Sequence, residues 1–188
     1  PVSETEAVGV FAALGRVLAQ DVVSPISVPP HDNSAMDGFA FDGAQLQSHQ
    51  SLTLTVIGTA LAGKAWQGTV KAGECVKIMT GAIMPEGLNT VVPQELVTVD
   101  GTLNNDVSSI SIAPNTLNLG DNRRFAGEDL MQGKPALSQG DTLTPAALGL
   151  VASLGLPSVT VFRKLRVAYF STGDEILSLG QAPREGAV

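Results

Sequence analysis

The sequence predicts an α+β protein of more than one structural unit, with a β-rich unit between helical segments and the first strand of an α/β unit behind them. Three observations lead there. Twenty Gly, eleven Pro and only 4% aromatic residues favour many turns and short strands over a helix bundle. Short runs at Leu52–Ile57, Cys75–Met79, Thr90–Val99 and Ser109–Ile112 are β-branched or alternating, and turn residues bound each one. Helix-start signals stand on both sides of these runs, and a continuous apolar run follows the second of them.

Ser3-Glu4-Thr5-Glu6 has the form of a capping box, in which the Ser oxygen and the Glu three residues on satisfy free backbone donors. Val10, Phe11, Leu14, Val17 and Leu18 then recur at helical spacing, so residues 4–19 are expected to form an amphipathic helix. Pro25, Pro29 and Pro30 force an extended path into the polar stretch His31 to Gly38. The β-like runs occupy residues 25–129, with a hairpin turn expected at Asp100-Gly101. Thr144 followed by Pro145 predicts a helix start, and Gly155 with Pro157 predicts its end. Beyond Val159–Phe162, Arg166–Phe170 is a continuous apolar run of the kind buried in a parallel sheet.

A net charge of −7 and a pI near 4.7 argue against a nucleic-acid backbone or an anionic membrane as the main partner. The single cysteine, Cys75, permits no intrachain disulfide, and the most apolar stretch, Ala146–Leu156, is too short to span a bilayer. A soluble, cytoplasmic protein is expected.

Gly58 to Lys64 nearly spells a phosphate loop, but Ala65 stands where a Mg²⁺-binding hydroxyl is required, so a Gly-rich β-turn is expected. His31, His49 and Cys75 lack metal-ligand spacing. Four places admit two readings each. Asp32 and Asp37 either bond their own backbone or display a carboxylate. Thr80-Gly81 either closes a strand in a plain loop or offers amides and a hydroxyl to an anion. Arg123-Arg124 either answers nearby acids on the surface or grips an oxyanion with paired donors. Ser171-Thr172-Gly173-Asp174-Glu175, at the carboxyl end of the apolar run, either caps a following helix or faces a ligand.

In order and spacing, five segments resemble the molybdopterin molybdenumtransferase family, which includes the C-terminal part of gephyrin. They are Gly15–Ser24, Val28–Ala40 with its Asn-Ser-Ala-Met-Asp-Gly, Met79–Gly87 with Val91–Glu95, Gly127-Glu128-Asp129 and Ser171–Glu175. The resemblance implies a homodimer. In it, residues 1–24 and 130–163 form a helical dimerisation part, 25–129 an inserted β-rich domain, and 164–188 the start of an α/β molybdopterin-binding domain. It also implies insertion of molybdate into adenylylated molybdopterin with release of AMP, assisted by Mg²⁺. The upstream molybdopterin adenylyltransferase is the further partner it suggests.

Carried over by motif, Asp37, Asp129 and Glu175 are the catalytic acids. Thr80, Gly81, Arg123, Arg124, Ser171, Thr172 and Gly173 would bind substrate, and Asp174 with Glu175 would hold metal. The family places basic residues directly before Gly-Glu-Asp, whereas Phe125-Ala126 intervene here, which leaves the choice between Arg123 and Arg124 open. Further ligand loops are expected beyond Val188, so these residues alone are not expected to hold a complete active site. A non-catalytic scaffold of the same fold, or a paralogue handling tungstate, are the alternative readings.

Overall fold

In the computed structural model, residues 3–103 and 106–188 are described. Among the described residues the chain is mostly β, with one α-helix. Its strands are β1 (Thr5–Gly9), β2 (Val22–Val23), β3 (Asn33–Ser34), β4 (Gly38–Phe41), β5 (Leu52–Ala60), β6 (Glu74–Ile78), β7 (Thr90–Pro93), β8 (Val97–Leu103), β9 (Asp106–Ile112), β10 (Arg123–Arg124), β11 (Pro135–Leu137) and β12 (Ser158–Phe162). Helix α1 spans Pro145–Ser153.

Six strands form one sheet in the order β7-β4-β6-β5-β9-β8, antiparallel except for the parallel β5–β6 pair. Strand β4 lies between β6 and β7, and all four of its residues are buried. Because successive side chains in a strand point to opposite faces, Phe39 and Phe41 join one apolar cluster with Leu54, Cys75, Val92, Ile110 and Ile112. Ala40 enters another with Ala60, Val76, Ile78 and Val91. Each fully buried Val, Ile or Phe in these clusters contributes about 1.5–3 kcal/mol.

A third cluster has a different origin in the chain. Val10, Ala13, Leu18 and Val22 pack against Leu143, Val151, Val159 and Val161. Strand β1 pairs antiparallel with β12, and β2 with β11. The buried members of this cluster therefore come from two segments on either side of the six-stranded sheet.

Several expectations are corrected. Residues 4–19 form no α-helix: Thr5–Gly9 is a strand and Val10–Ala12 a single 3-10 turn. Tertiary pairing with β12 overrides the local capping signal here. Of the supposed apolar stripe, Val10 and Leu18 are buried while Phe11 and Leu14 are exposed. Asp100 and Gly101 lie within β8, where the register shifts on either side of Gly101, and the hairpin pairs Leu103 with Asp106. The pair thus marks a bulge, not the turn. The run Thr90–Val99 is split by a 3-10 turn at Gln94–Leu96, because Pro93 cannot donate to a ladder. Finally, Arg166–Phe170 is not a strand: it has no ladder partner among the described residues, and Val167, Tyr169 and Phe170 are exposed.

The expected strands at 52–57, 75–79 and 109–112 correspond to β5, β6 and β9. Helix α1 starts as anticipated, with the Thr144 hydroxyl accepting from the Ala147 N–H at 3.2 Å and Pro145 in the first turn. It ends at Gly155, whose φ of +74° suits a residue without Cβ. The Gly58–Lys64 stretch is the end of β5 and a turn bridging Leu61 and Lys64.

Candidate functional site

The polar stretch before β4 is pinned from both sides. Strand β3 pairs with β10, setting Ser34 opposite Arg123 and Asn33 opposite Arg124. On its other side, Ser34 N–H donates to the Ala82 carbonyl at 3.0 Å and Gly81 N–H donates to the Ser34 carbonyl at 2.8 Å. The Thr80-Gly81 loop and the arginine pair therefore flank one short strand, roughly 10 Å apart at two strand spacings. The Ser34 hydroxyl donates to the Met36 carbonyl at 2.6 Å and accepts the Met36 N–H at 3.2 Å, which bends the chain toward Asp37.

Asp37 is exposed, and its Oδ1 accepts two hydrogen bonds, from the Thr80 N–H and the Thr80 hydroxyl, both at 2.7 Å. These donors favour the carboxylate, the backbone N–H most, and hold its pKa below the usual 3.8. The turn that presents them depends on Gly81, whose φ is +79°. The hydroxyl-and-amide reading of Thr80-Gly81 thus has a partner in the chain itself, the Asp37 carboxylate.

The arginines diverge. Arg123 gives its Nε and Nη2 to Asp32 Oδ2, the former at 2.9 Å, and its guanidinium lies 4.8 Å from the Phe125 ring centre. Arg124 donates from Nη2 to Asp129 Oδ1 at 2.6 Å, with Glu128 Oε1 3.5 Å from its Nε. Those carboxylates, Asp129 first, raise the already high pKa of Arg124. Glu128 also accepts the Phe125 N–H at 2.9 Å and so closes the turn.

Ser171, Thr172, Gly173, Asp174 and Glu175 are exposed and fold locally. The Asp174 carbonyl accepts from Arg184 at 2.5 Å, and the Glu175 carbonyl accepts the Val188 N–H at 2.8 Å. Asp174 and Glu175 line a cavity of about 320 Å³ with Arg184 and Glu185. Among the described residues no hydrogen bond links this segment to Asp37, Thr80, Arg124 or Asp129. The structure therefore brings together the acids and donors of residues 32–129 and leaves those of 171–175 apart. Among the described residues, no group of three or more His, Cys, Asp or Glu is placed to hold a metal ion. Cys75 is buried in the sheet, and burial pushes its thiol up to about 12.

The family model for the MoeA N-terminal region (domain I and II) matches residues 1–155. The chain belongs to the MoeA family. It is 43% identical over 188 residues to a molybdopterin molybdenumtransferase of Haemophilus influenzae, covering 99% of this chain and 44% of that protein. Identity is 38% to molybdopterin molybdenumtransferase 2 of Mycobacterium tuberculosis, covering 94% of this chain and 42% of the relative. The crystal structure of a molybdopterin biosynthesis MoeA protein from Pyrococcus horikoshii OT3 superposes with a TM-score of 0.83 at 33% identity, covering 98% of this chain and 47% of that one. The chain thus spans less than half the length of these MoeA relatives, and its fold is that of the matched part of the Pyrococcus structure. No helix among the described residues is long and apolar enough to cross a membrane.

Two contacts of this region have little or no signal in the sequence. The partner of Asp32, Arg123, lies 91 residues away and leaves no local signal. Glu128 stands three residues after Phe125, whose N–H it accepts, and that spacing is the only trace of this contact in the sequence.

Proposed function

We propose that this chain supplies part of the catalytic cleft of a molybdopterin molybdenumtransferase, acting in molybdenum cofactor biosynthesis in the cytoplasm. The whole enzyme inserts molybdate into adenylylated molybdopterin and releases AMP. One observation carries the reading: an exposed Asp37 carboxylate is kept ionised by Thr80 on one side of β3, while Arg124 and Asp129 stand on the other. Such an array provides an anion-binding guanidinium and two oxygen-donor acids within one small region.

The donor chemistry fits Mg²⁺ better than a softer ion. Asp37, Thr80 and Asp129 offer oxygens, whereas Cys75 is a buried neutral thiol. Asp37 would hold the ion from this unit, with Asp174 and Glu175 from residues 164–188. When bound, the ion neutralises charge developing on the transferring oxyanion. The chain's own residues do the rest. Thr80 fixes the Asp37 carboxylate, Gly81 shapes the loop, and Arg124 exchanges its carboxylate partners for the substrate oxyanion. Ser171, Thr172 and Gly173 contribute donors at the same cleft.

The separate apolar clusters support a division into three parts. In this reading residues 1–24 with 130–163 make one lobe, 25–129 the inserted β-rich domain, and 164–188 the opening of the α/β domain. Homodimerisation is supported by Phe11 and Leu14, large apolar side chains exposed on the first lobe. The dimer would bring the β-rich domain of one subunit to the α/β domain of the other, and the adenylyltransferase that makes the substrate is a natural docking partner. The test is AMP release from adenylylated molybdopterin with molybdate and Mg²⁺, using the full-length protein. Asp37→Ala and Glu175→Ala should abolish turnover while both variants remain folded by circular dichroism. A normal rate in both variants refutes the assignment.

A further inference from the structure

Asp32 has no role in the reading above, yet it is the most heavily used carboxylate of the region. Its Oδ2 accepts both Nε and Nη2 of Arg123, and its Oδ1 accepts the Ala126 N–H at 2.8 Å. Its own carbonyl accepts the Met84 N–H at 2.9 Å, which ties it to the loop that carries Thr80. Asp32 therefore grips both ends of the Arg123–Ala126 stretch while its backbone belongs to the opposite side of β3.

The stretch it grips is also paired with β3 and closed by Glu128, but it rests on polar contacts alone. Phe125 is 55% exposed, so no apolar core lies beneath the turn. The residues in between and just after are Arg124 and Asp129, and in a strand Arg124 points away from the face Arg123 takes. The β3 pairing sets the two side chains on opposite faces, and the Asp32 clamp fixes the Arg123 side of that short strand. An anion-binding arginine works best when its placement is fixed before the anion arrives.

We propose that Asp32 is a positioning residue: by clamping Arg123 and the Ala126 amide it sets the place from which Arg124 meets a substrate oxyanion. Arg123 serves the clamp, and the anion falls to Arg124. This rests on the reading of Arg124 as an anion ligand. The shared ligand chemistry is a tetrahedral oxyanion, supplied either by molybdate or by the phosphate of adenylylated molybdopterin. The lowered pKa of Asp32, caused first by the Ala126 amide and then by Arg123, agrees with a carboxylate that stays charged in this role.

The experiment is a double-mutant cycle in the full-length protein, with dissociation constants for molybdate and for adenylylated molybdopterin measured by calorimetry. Arg124→Ala should weaken one of the two, and that identifies the anion. Asp32→Asn should weaken the same one, on the order of tenfold, as expected for a displaced charge-assisted contact. In the Arg124→Ala background, Asp32→Asn should add nothing, because the residue through which it acts is gone. An equal loss in both backgrounds overturns the proposal, since it would mean that Asp32 acts through general stability. Unchanged affinity in Asp32→Asn overturns it too. Unchanged affinity in Arg124→Ala overturns both this proposal and the anion-ligand reading beneath it. If Asp32→Asn fails to fold, Arg123→Gln opens the same clamp from the other side and must give the same pattern.

Discussion

Replacing Gly38 with alanine should destabilise the sheet and disturb Asp37 together. A Cβ at Gly38 would lie 2.0 Å from the Val92 carbonyl oxygen, 2.8 Å from its carbon and 3.0 Å from Pro93 Cα. Ordinary contact begins at 3.4 Å, so β7 would have to retreat by about 1.4 Å. The obstacle is backbone, which cannot swing aside as a side chain can. Overpacking of this kind costs about 1–3 kcal/mol, and one or two lost ladder hydrogen bonds add about 1 kcal/mol each. Relief of glycine's unfolded-state entropy returns about 0.4–1 kcal/mol. The net loss is about 3 kcal/mol, which shifts a urea midpoint by about 1.5 M at an m-value near 2 kcal/mol/M. Trp66, the single tryptophan, packs beside the cluster that contains Ala40 and reports the transition by fluorescence. The same retreat would pull Gln94 N–H from the Asp37 carbonyl, a bond of 3.1 Å. A midpoint within about 0.3 M of the parent would be too small for the steric cost and would refute the argument.

Thr80→Val removes the hydroxyl donor but keeps the backbone N–H, the larger cause of the Asp37 shift. The Asp37 pKa should rise part of the way back toward 3.8. Because the folded-state pKa is depressed, the stabilisation this carboxylate provides is full above 3.8 and lost as pH falls through the folded value. Carboxyl NMR titration of both proteins checks this, and identical curves would remove the hydroxyl from the account. Cys75 shifts the other way, from 9.0 to about 12. The stability linked to its neutral thiol is intact below pH 9 and declines as pH climbs toward 12, since only the unfolded chain ionises there. The native protein should resist alkylation at Cys75 and the urea-unfolded protein should react fully; equal rates in both states would contradict its burial.

Elements governed by neighbours in sequence were readable before the structure. Helix α1 announces itself through Thr144 and Pro145, and β5, β6 and β9 through β-branched runs between turn residues. The first twenty residues misled because the decisive partner of Thr5–Gly9 is Ser158–Phe162, far along the chain, while Ser3 and Glu6 imitate a helix cap. Asp100-Gly101 misled because a glycine that relieves a bulge has the same spelling as one that makes a turn. At the site, the motif residues were visible as types, but their division of labour was not. That Asp37 belongs to Thr80 and Arg123 to Asp32 is decided across 43 and 91 residues, by strand β3 and not by any local pattern.

The pairing of β1 with β12 also imposes a timetable on synthesis. Every strand of the six-stranded sheet lies between Gly38 and Ile112, so that sheet has all its parts once those residues leave the ribosome. Val10, Leu18 and Val22 precede that sheet in the chain, yet they wait for Leu143, Val151 and Val161 before they have anything to pack against. Closing that span costs loop entropy that grows only slowly with length, and a middle already folded shortens the effective loop. Residues made before the sheet are therefore buried after it, and until then their apolar side chains are exposed to whatever chaperone surveys the nascent chain.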